Sequence, residues 1–201
     1  ELWQTDNITS MTGLFTNCPN LQTDLSNWNV SNVENFDSLF FQSNSISFEA
    51  TGFQYWRLSK ATDLGSMFGA NGGPPNSFKL GSIDFSGWGQ DISKVTNFAS
   101  MFSNGGNQDF CGNGLKYWNT ISAEAMYAMF LGCSSFNEDI SNWDVSAVTT
   151  MESMFNGATS FNQDLSGWYM SDESLCDITN MFTGATTLSS GNNKDISDNW
   201  T

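Results

Sequence analysis

From Phe136 the chain reads F-N-E-D-I-S-N-W-D-V-S-A-V-T-T-M-E-S-M-F-N-G-A, and its apolar residues follow two different spacings. In the first half Ile140, Asn142 and Asp144 alternate with Ser141, Trp143 and Val145, which predicts a short strand around Trp143 without naming its buried face. In the second half Val148, Met151, Met154 and Phe155 recur at i, i+3, i+6 and i+7, the spacing of one side of a helix of about two turns. Asp144 or Ser146 stands ahead of this segment where it would cap free amides, and Gly157 stands where a left-handed residue would end it.

The same plan recurs along the whole chain. Tryptophans fall at positions 3, 28, 56, 88, 118, 143, 168 and 200, and an LF or MF pair follows each of the first seven, at Phe15, Phe40, Phe68, Phe102, Phe130, Phe155 and Phe182. Units begin near residues 1, 21, 46, 78, 109, 136, 161 and 188, the first and last incomplete, within one repeat domain spanning 1–201. A strand and a two-turn helix cannot bury their own apolar faces, so each unit must borrow its neighbours. The expected fold is therefore α/β, a leucine-rich-repeat-like right-handed solenoid of seven to eight coils. Short parallel strands lie on one face and short helices on the other, in a curved rod about 35 to 40 Å long at the usual strand spacing. Trp28, Trp143, Trp168, Met151, Met154, Phe155 and Phe182 form its repeating core, the methionines as filler rather than as a metal or partner site. The polar or Gly/Pro-rich insertions at 72–77, 104–108 and 171–176 are its surface loops.

Composition narrows the function. The chain carries 21 acidic against 6 basic residues, a formal charge of -15, which repels a phosphate backbone or an anionic membrane. No apolar run approaches the roughly 18 to 20 residues of a membrane span. There is no histidine, the usual general base and zinc ligand, and no acidic or Ser/Lys pair converges, so no enzyme is expected. No leader precedes Glu1, which reads as a processed protein or an excised segment.

The unit F-N-x-D-I/L-S-x-W-x-V/M-S-x-V-T-x-M-x-x-M-F resembles the BspA-type leucine-rich repeats, in particular their mycoplasma-lipoprotein branch, a domain of unknown function. Phe136 to Ala158 and Phe161 to Ser166 carry the closest likeness. The resemblance implies a secreted or cell-surface solenoid, with no catalytic residue and no fixed ligand.

Several side chains are candidates for more than packing. Asp24, Asp139, Asp164 and Asp195 share one place before their tryptophans, and Asp139 with Asp164 would lie one coil apart as weak calcium ligands. The favoured reading is that each aspartate hydrogen-bonds its own turn. Asn137 and Asn162 are expected to form side-chain ladders or to satisfy turns. Cys111 and Cys133 fall at nearby places on adjacent coils as a candidate disulfide, with buried free thiols as the competing reading. Cys18 and Cys176 lie near opposite ends, and in the oxidising compartment the family implies they become candidates for a bridge between subunits. Asn7, Asn29 and Asn199 head N-x-S/T sequons.

The chain opens with the helix half of a repeat and closes with the strand half of another, so one subunit's last half-unit would be completed by the next subunit's first. The first expectation is thus an extracellular, non-enzymatic structural protein, glycosylated, whose subunits stack head to tail into a filament. A segment cut from a longer array accounts for the same ends. The runner-up function is an adhesin or ligand-binding repeat domain that meets a host protein or glycan; an exposed row of aromatics would favour a glycan, and Tyr55, Tyr117 and Tyr169 beside their tryptophans, its only candidates, are too irregular to make one. An ice-binding surface ranks last, because Thr149, Thr150 and Thr159 fall in predicted helix and turn rather than in a flat array.

Overall fold

The computed structural model describes residues 4–18, 21, 23–43, 52–70, 80, 83–103, 110, 112–170 and 176–188. Successive units stack in register. Ser10, Asn35, Asp63, Asn97, Ala125, Thr150 and Asp177 pair in that order through single parallel bridges, one per coil. Between bridges the chain turns repeatedly, and the described residues include 3-10 turns at Phe53–Tyr55, Phe85–Trp88 and Leu115–Tyr117.

The α/β expectation is overturned. Among the described residues there is no α-helix, and no strand extends beyond a single bridge. The predicted helix after Val148 is a run of turns, and the destinations of its amides show why. Met151, Ser153, Phe155 and Gly157 donate outward to Asp177, Thr179, Met181 and Thr183 of the next coil, at 2.7 to 2.9 Å. The residues between them close local turns instead, Met154 to the Met151 carbonyl, Asn156 to Ser153 and Ala158 to Phe155. An α-helix would direct every amide four residues back. The alternation recurs in the first coil, where Met11, Gly13, Phe15 and Asn17 donate to Asn35, Asp37, Leu39 and Phe41.

Such a path needs left-handed residues. Gly13, Ser38, Ser66, Ser100, Ala128, Ser153 and Asn180 occupy one position of the repeat, and all have φ between 50° and 62°. A second left-handed position follows four residues later, at Asn17, Gln42, Gly132, Gly157 and Gly184. The predicted strand around Trp143 is likewise a turn, closed by the Trp143 amide on the Ile140 carbonyl at 3.0 Å.

The turns still deliver the apolar side chains to one interior. Met151, Met154 and Phe155 are fully buried, Trp143 and Trp168 nearly so, while Trp28 and Phe182 are partly buried against the same core. Phe15, Phe40, Phe68, Phe102, Phe130, Phe155 and Phe182 stack as one continuous ladder, with centroids 5.5 to 5.8 Å apart and ring planes within 15°. Each offset-stacked pair adds about 0.5 to 1.5 kcal/mol beyond the area it buries. No helix among the described residues is long and apolar enough to cross a membrane.

Candidate ligand cleft on the tryptophan edge

The tryptophan edge is built from turns that aspartates hold in shape. In each of four coils a carboxylate accepts the amide two residues ahead: Asp24 from Ser26, Asp84 from Ser86, Asp139 from Ser141 and Asp164 from Ser166, at 2.8 to 3.0 Å. That bond to the backbone is the main reason the carboxyls of Asp24, Asp139 and Asp164 lie below their ordinary range. The next position repeats the device, with Asp144 Oδ1 accepting from the Ser146 amide at 2.9 Å and its hydroxyl at 2.6 Å.

The tryptophans fix one coil on another. Trp56, Trp88, Trp118, Trp143 and Trp168 donate their indole N–H to Leu25, Phe53, Phe85, Leu115 and Ile140 of the preceding coil, at 2.9 to 3.1 Å. The chain beside each buried indole is thereby held against its neighbour, and the adjacent side chains face water. Tyr55, Tyr117 and Tyr169 are 74%, 56% and 71% exposed. Lys116 places its ammonium 5.2 Å from the centre of the Tyr117 ring.

Beside Tyr169 the edge opens into a shallow cleft of about 540 Å³. Buried Trp143 and Val145 form its floor, and Ser141, Asn142, Asp144 and Ser146 line one coil's side with Gly167 and Tyr169 on the next. The Thr120 hydroxyl, itself buried, donates to the Asp144 carbonyl at 2.9 Å and so anchors the strip from the other side.

The remaining candidates separate. Asp139 and Asp164 stand on their own turns, and among the described residues no three His, Cys, Asp or Glu side chains gather around a point. Asn137 does form a ladder, its side-chain oxygen accepting from the Asn162 amide and the Gln163 side chain at 2.8 and 2.9 Å. No disulfide is present among the described residues. Cys133 is buried, its thiol donates to the Phe102 carbonyl at 3.2 Å, and burial pushes its pKa far up. Cys176 is buried too and pushed up to about 11, mainly by desolvation and then by the Asp177 carboxylate, so it is a poor nucleophile at neutral pH. Cys18 is half-buried. Asn7 is exposed, whereas the exposed Asn29 already donates its side-chain amide to Asp6 at 2.7 Å. Cys111, Asn199 and nearly all of the insertions lie outside the described residues.

The cleft was missed in the sequence because its walls are polar residues of ordinary turns. Its signal emerges once coils are aligned on tryptophan. For Trp28 to Trp168 the position before it reads Asn27, Tyr55, Gly87, Tyr117, Asn142, Gly167, and the position after it reads Asn29, Arg57, Gly89, Asn119, Asp144, Tyr169. No curated protein and no solved structure matches the chain. The family model described as Mycoplasma protein of unknown function, DUF285, matches residues 1–79 and 76–200, together nearly the whole sequence, and the chain belongs to that family.

Proposed function

We propose that the chain is the non-enzymatic scaffold of an extracellular surface protein, and that its tryptophan edge presents exposed tyrosines to a partner. The observation that carries this reading is the contrast along that edge. The indoles of Trp56, Trp88, Trp118, Trp143 and Trp168 are at most 7% exposed, while Tyr55, Tyr117 and Tyr169 beside three of them stand mostly in water. Exposed aromatic rings on a rigid support suit recognition, since a tyrosine offers large contact area for the loss of little side-chain freedom. The aspartates engaged on their own turns support a structural rather than a catalytic use of acidic residues. The resemblance to the BspA-type repeat supports placing the protein outside the cell.

The test is a binding screen against immobilised neutral glycans and host extracellular proteins, with the native protein and the Tyr55→Ser, Tyr117→Ser, Tyr169→Ser triple variant. We expect at least one partner to be retained by the native protein and lost by the variant, with thermal melting unchanged. Equal retention of every partner by both proteins, or no retention at all, would overturn the reading.

A further inference from the structure

The geometry points to the cleft beside Tyr169 as a binding site for a neutral saccharide, with the C–H face of one pyranose ring on the phenol ring and its hydroxyls on Asp144, Asn142 and Ser141. This rests on the reading of the tyrosine edge as a binding surface and names its ligand class and place.

Gly167 makes the first argument. Gly87, at the same position two further coils from it than Tyr117's neighbour Asn142, is demanded by packing, since a Cβ there would lie 2.7 Å from the Gln54 carbonyl oxygen. A Cβ at Gly167 meets no atom of the described residues within 4 Å, and its φ is not in the left-handed region, so no contact among them requires the missing side chain. What it leaves is the open side of the cleft.

The chemistry of the lining selects the ligand. Asp144 and Asn142 offer a carboxylate and an amide within one small area, and the Ser141 and Ser146 hydroxyls beside them, which hydrogen-bond Asp139 and Asp144, keep lone pairs with which to accept. Sugar hydroxyls donate and accept at once and match such a set. Among the described residues no lysine or arginine lines the cleft, and the net charge of -15 disfavours a phosphate or sulfate ligand. A quaternary ammonium is served by a cage of aromatic rings. Here the described lining holds one exposed ring, Tyr169, and one nearly buried indole, Trp143. The volume of about 540 Å³ falls within the range of small-ligand sites and accommodates one or two sugar residues.

The site is also preorganised. Ser146 holds the Asp144 carboxylate, Thr120 holds the Asp144 carbonyl, and the indole N–H groups of Trp143 and Trp168 fix the two coils that form the walls. Binding then orders little protein, which suits a ligand that gains only a few hydrogen bonds and one stacking contact.

The test is ligand-observed saturation-transfer NMR and calorimetry on the full chain with lactose, maltose and N,N'-diacetylchitobiose. The variants are Tyr169→Ala, Gly167→Leu to fill the cleft, Tyr55→Ala on another coil of the same edge, and, as the control, Tyr127→Ala, an exposed tyrosine two residues past the Ala125 bridge. We expect one of the three disaccharides to bind, with affinity reduced about tenfold or more by Tyr169→Ala and Gly167→Leu, the loss of one stacking contact being of that size. Tyr127→Ala should leave affinity unchanged, and all melting temperatures should match. Binding that survives Gly167→Leu but falls with Tyr55→Ala would overturn the cleft and leave the tyrosine edge standing. Binding indifferent to every tyrosine change would overturn both. Silence of all three disaccharides beside a host protein retained in the screen would overturn the saccharide and keep the edge.

Discussion

The carbonyls of Leu25, Phe53, Leu115 and Ile140, each three residues before a tryptophan, have two lone pairs and two duties. The Leu115 oxygen accepts the Trp118 amide, which closes its own turn, at 3.0 Å, and the Trp143 indole N–H from the next coil at 2.9 Å. Tryptophan recurs because its N–H reaches across a coil while its rings fill the interior. Trp143→Phe keeps most of the apolar contact and leaves the buried carbonyl with its local bond alone. It should cost about 1 to 3 kcal/mol in denaturant unfolding, against about 3 to 5 for Trp143→Ala, which also opens a cavity. Equal losses for the two variants would deny the hydrogen bond its weight. Glycine is required for a different reason at Gly114, where φ is 86° and a Cβ would lie 2.3 Å from the Ser86 amide nitrogen. That is backbone against backbone and cannot rotate away. Gly114→Ala should cost upward of about 3 kcal/mol through strain and overlap together, and an unchanged unfolding midpoint would show that the coils do not approach so closely.

At the scale of the element, one substitution separates a run of turns from a helix by its sign. Ser153 has φ 57°, and its amide leaves the coil for the Thr179 carbonyl. A left-handed non-glycine residue carries about 1 to 2 kcal/mol of strain, which glycine relieves at about 0.5 to 1 kcal/mol of added chain entropy. Ser153→Gly should therefore be neutral to stabilising by up to about 1 kcal/mol, whereas the same change inside a helix destabilises. Chemical denaturation of the two proteins reads the difference, and clear destabilisation would restore the helix. The repeat itself was legible in the sequence, because the Trp and Phe landmarks mark the two faces of the interior and both ladders form on them. The element type was not. Val148, Met151, Met154 and Phe155 are buried in either geometry, since turns of three residues and a helix of 3.6 bring nearly the same positions inward. The left-handed position is held by serine in four coils and by glycine in one, so the usual turn signal is hidden. The aspartate turns were legible because Asp-x-Ser bonding is local, and the cleft was not because it depends on the space above Gly167.

At the scale of the whole molecule, the acidic groups pull stability in opposite directions as pH falls. Asp24, Asp139, Asp164 and Asp177 are held below the ordinary 3.8, first by a backbone amide two residues ahead. A depressed folded pKa contributes stability above 3.8 that disappears as pH falls through the folded value. Asp37 is raised, first by burial and also by the nearby Asp63 carboxylate. Its protonated form favours the fold, so its contribution is present at low pH and is lost as pH rises through the raised value. The net charge of -15 adds self-repulsion near neutrality that fades toward the isoelectric point of about 4.1. The melting temperature should therefore climb modestly from about pH 7 toward about pH 5, then fall steeply below about pH 4 as the turn aspartates protonate. Asp37→Asn should raise it at about pH 7 and leave it unchanged near pH 3, where Asp37 is protonated whether folded or not. Asp164→Asn keeps a side-chain oxygen for the Ser166 amide and should soften the acid limb, since that acceptor no longer titrates. Thermal melts of the three proteins across this range decide the matter. A native melting temperature that falls steadily from neutral pH downward, or an Asp37→Asn variant weakened at neutral pH, would mean that the desolvated Asp37 carboxylate is not a cost the fold tolerates there.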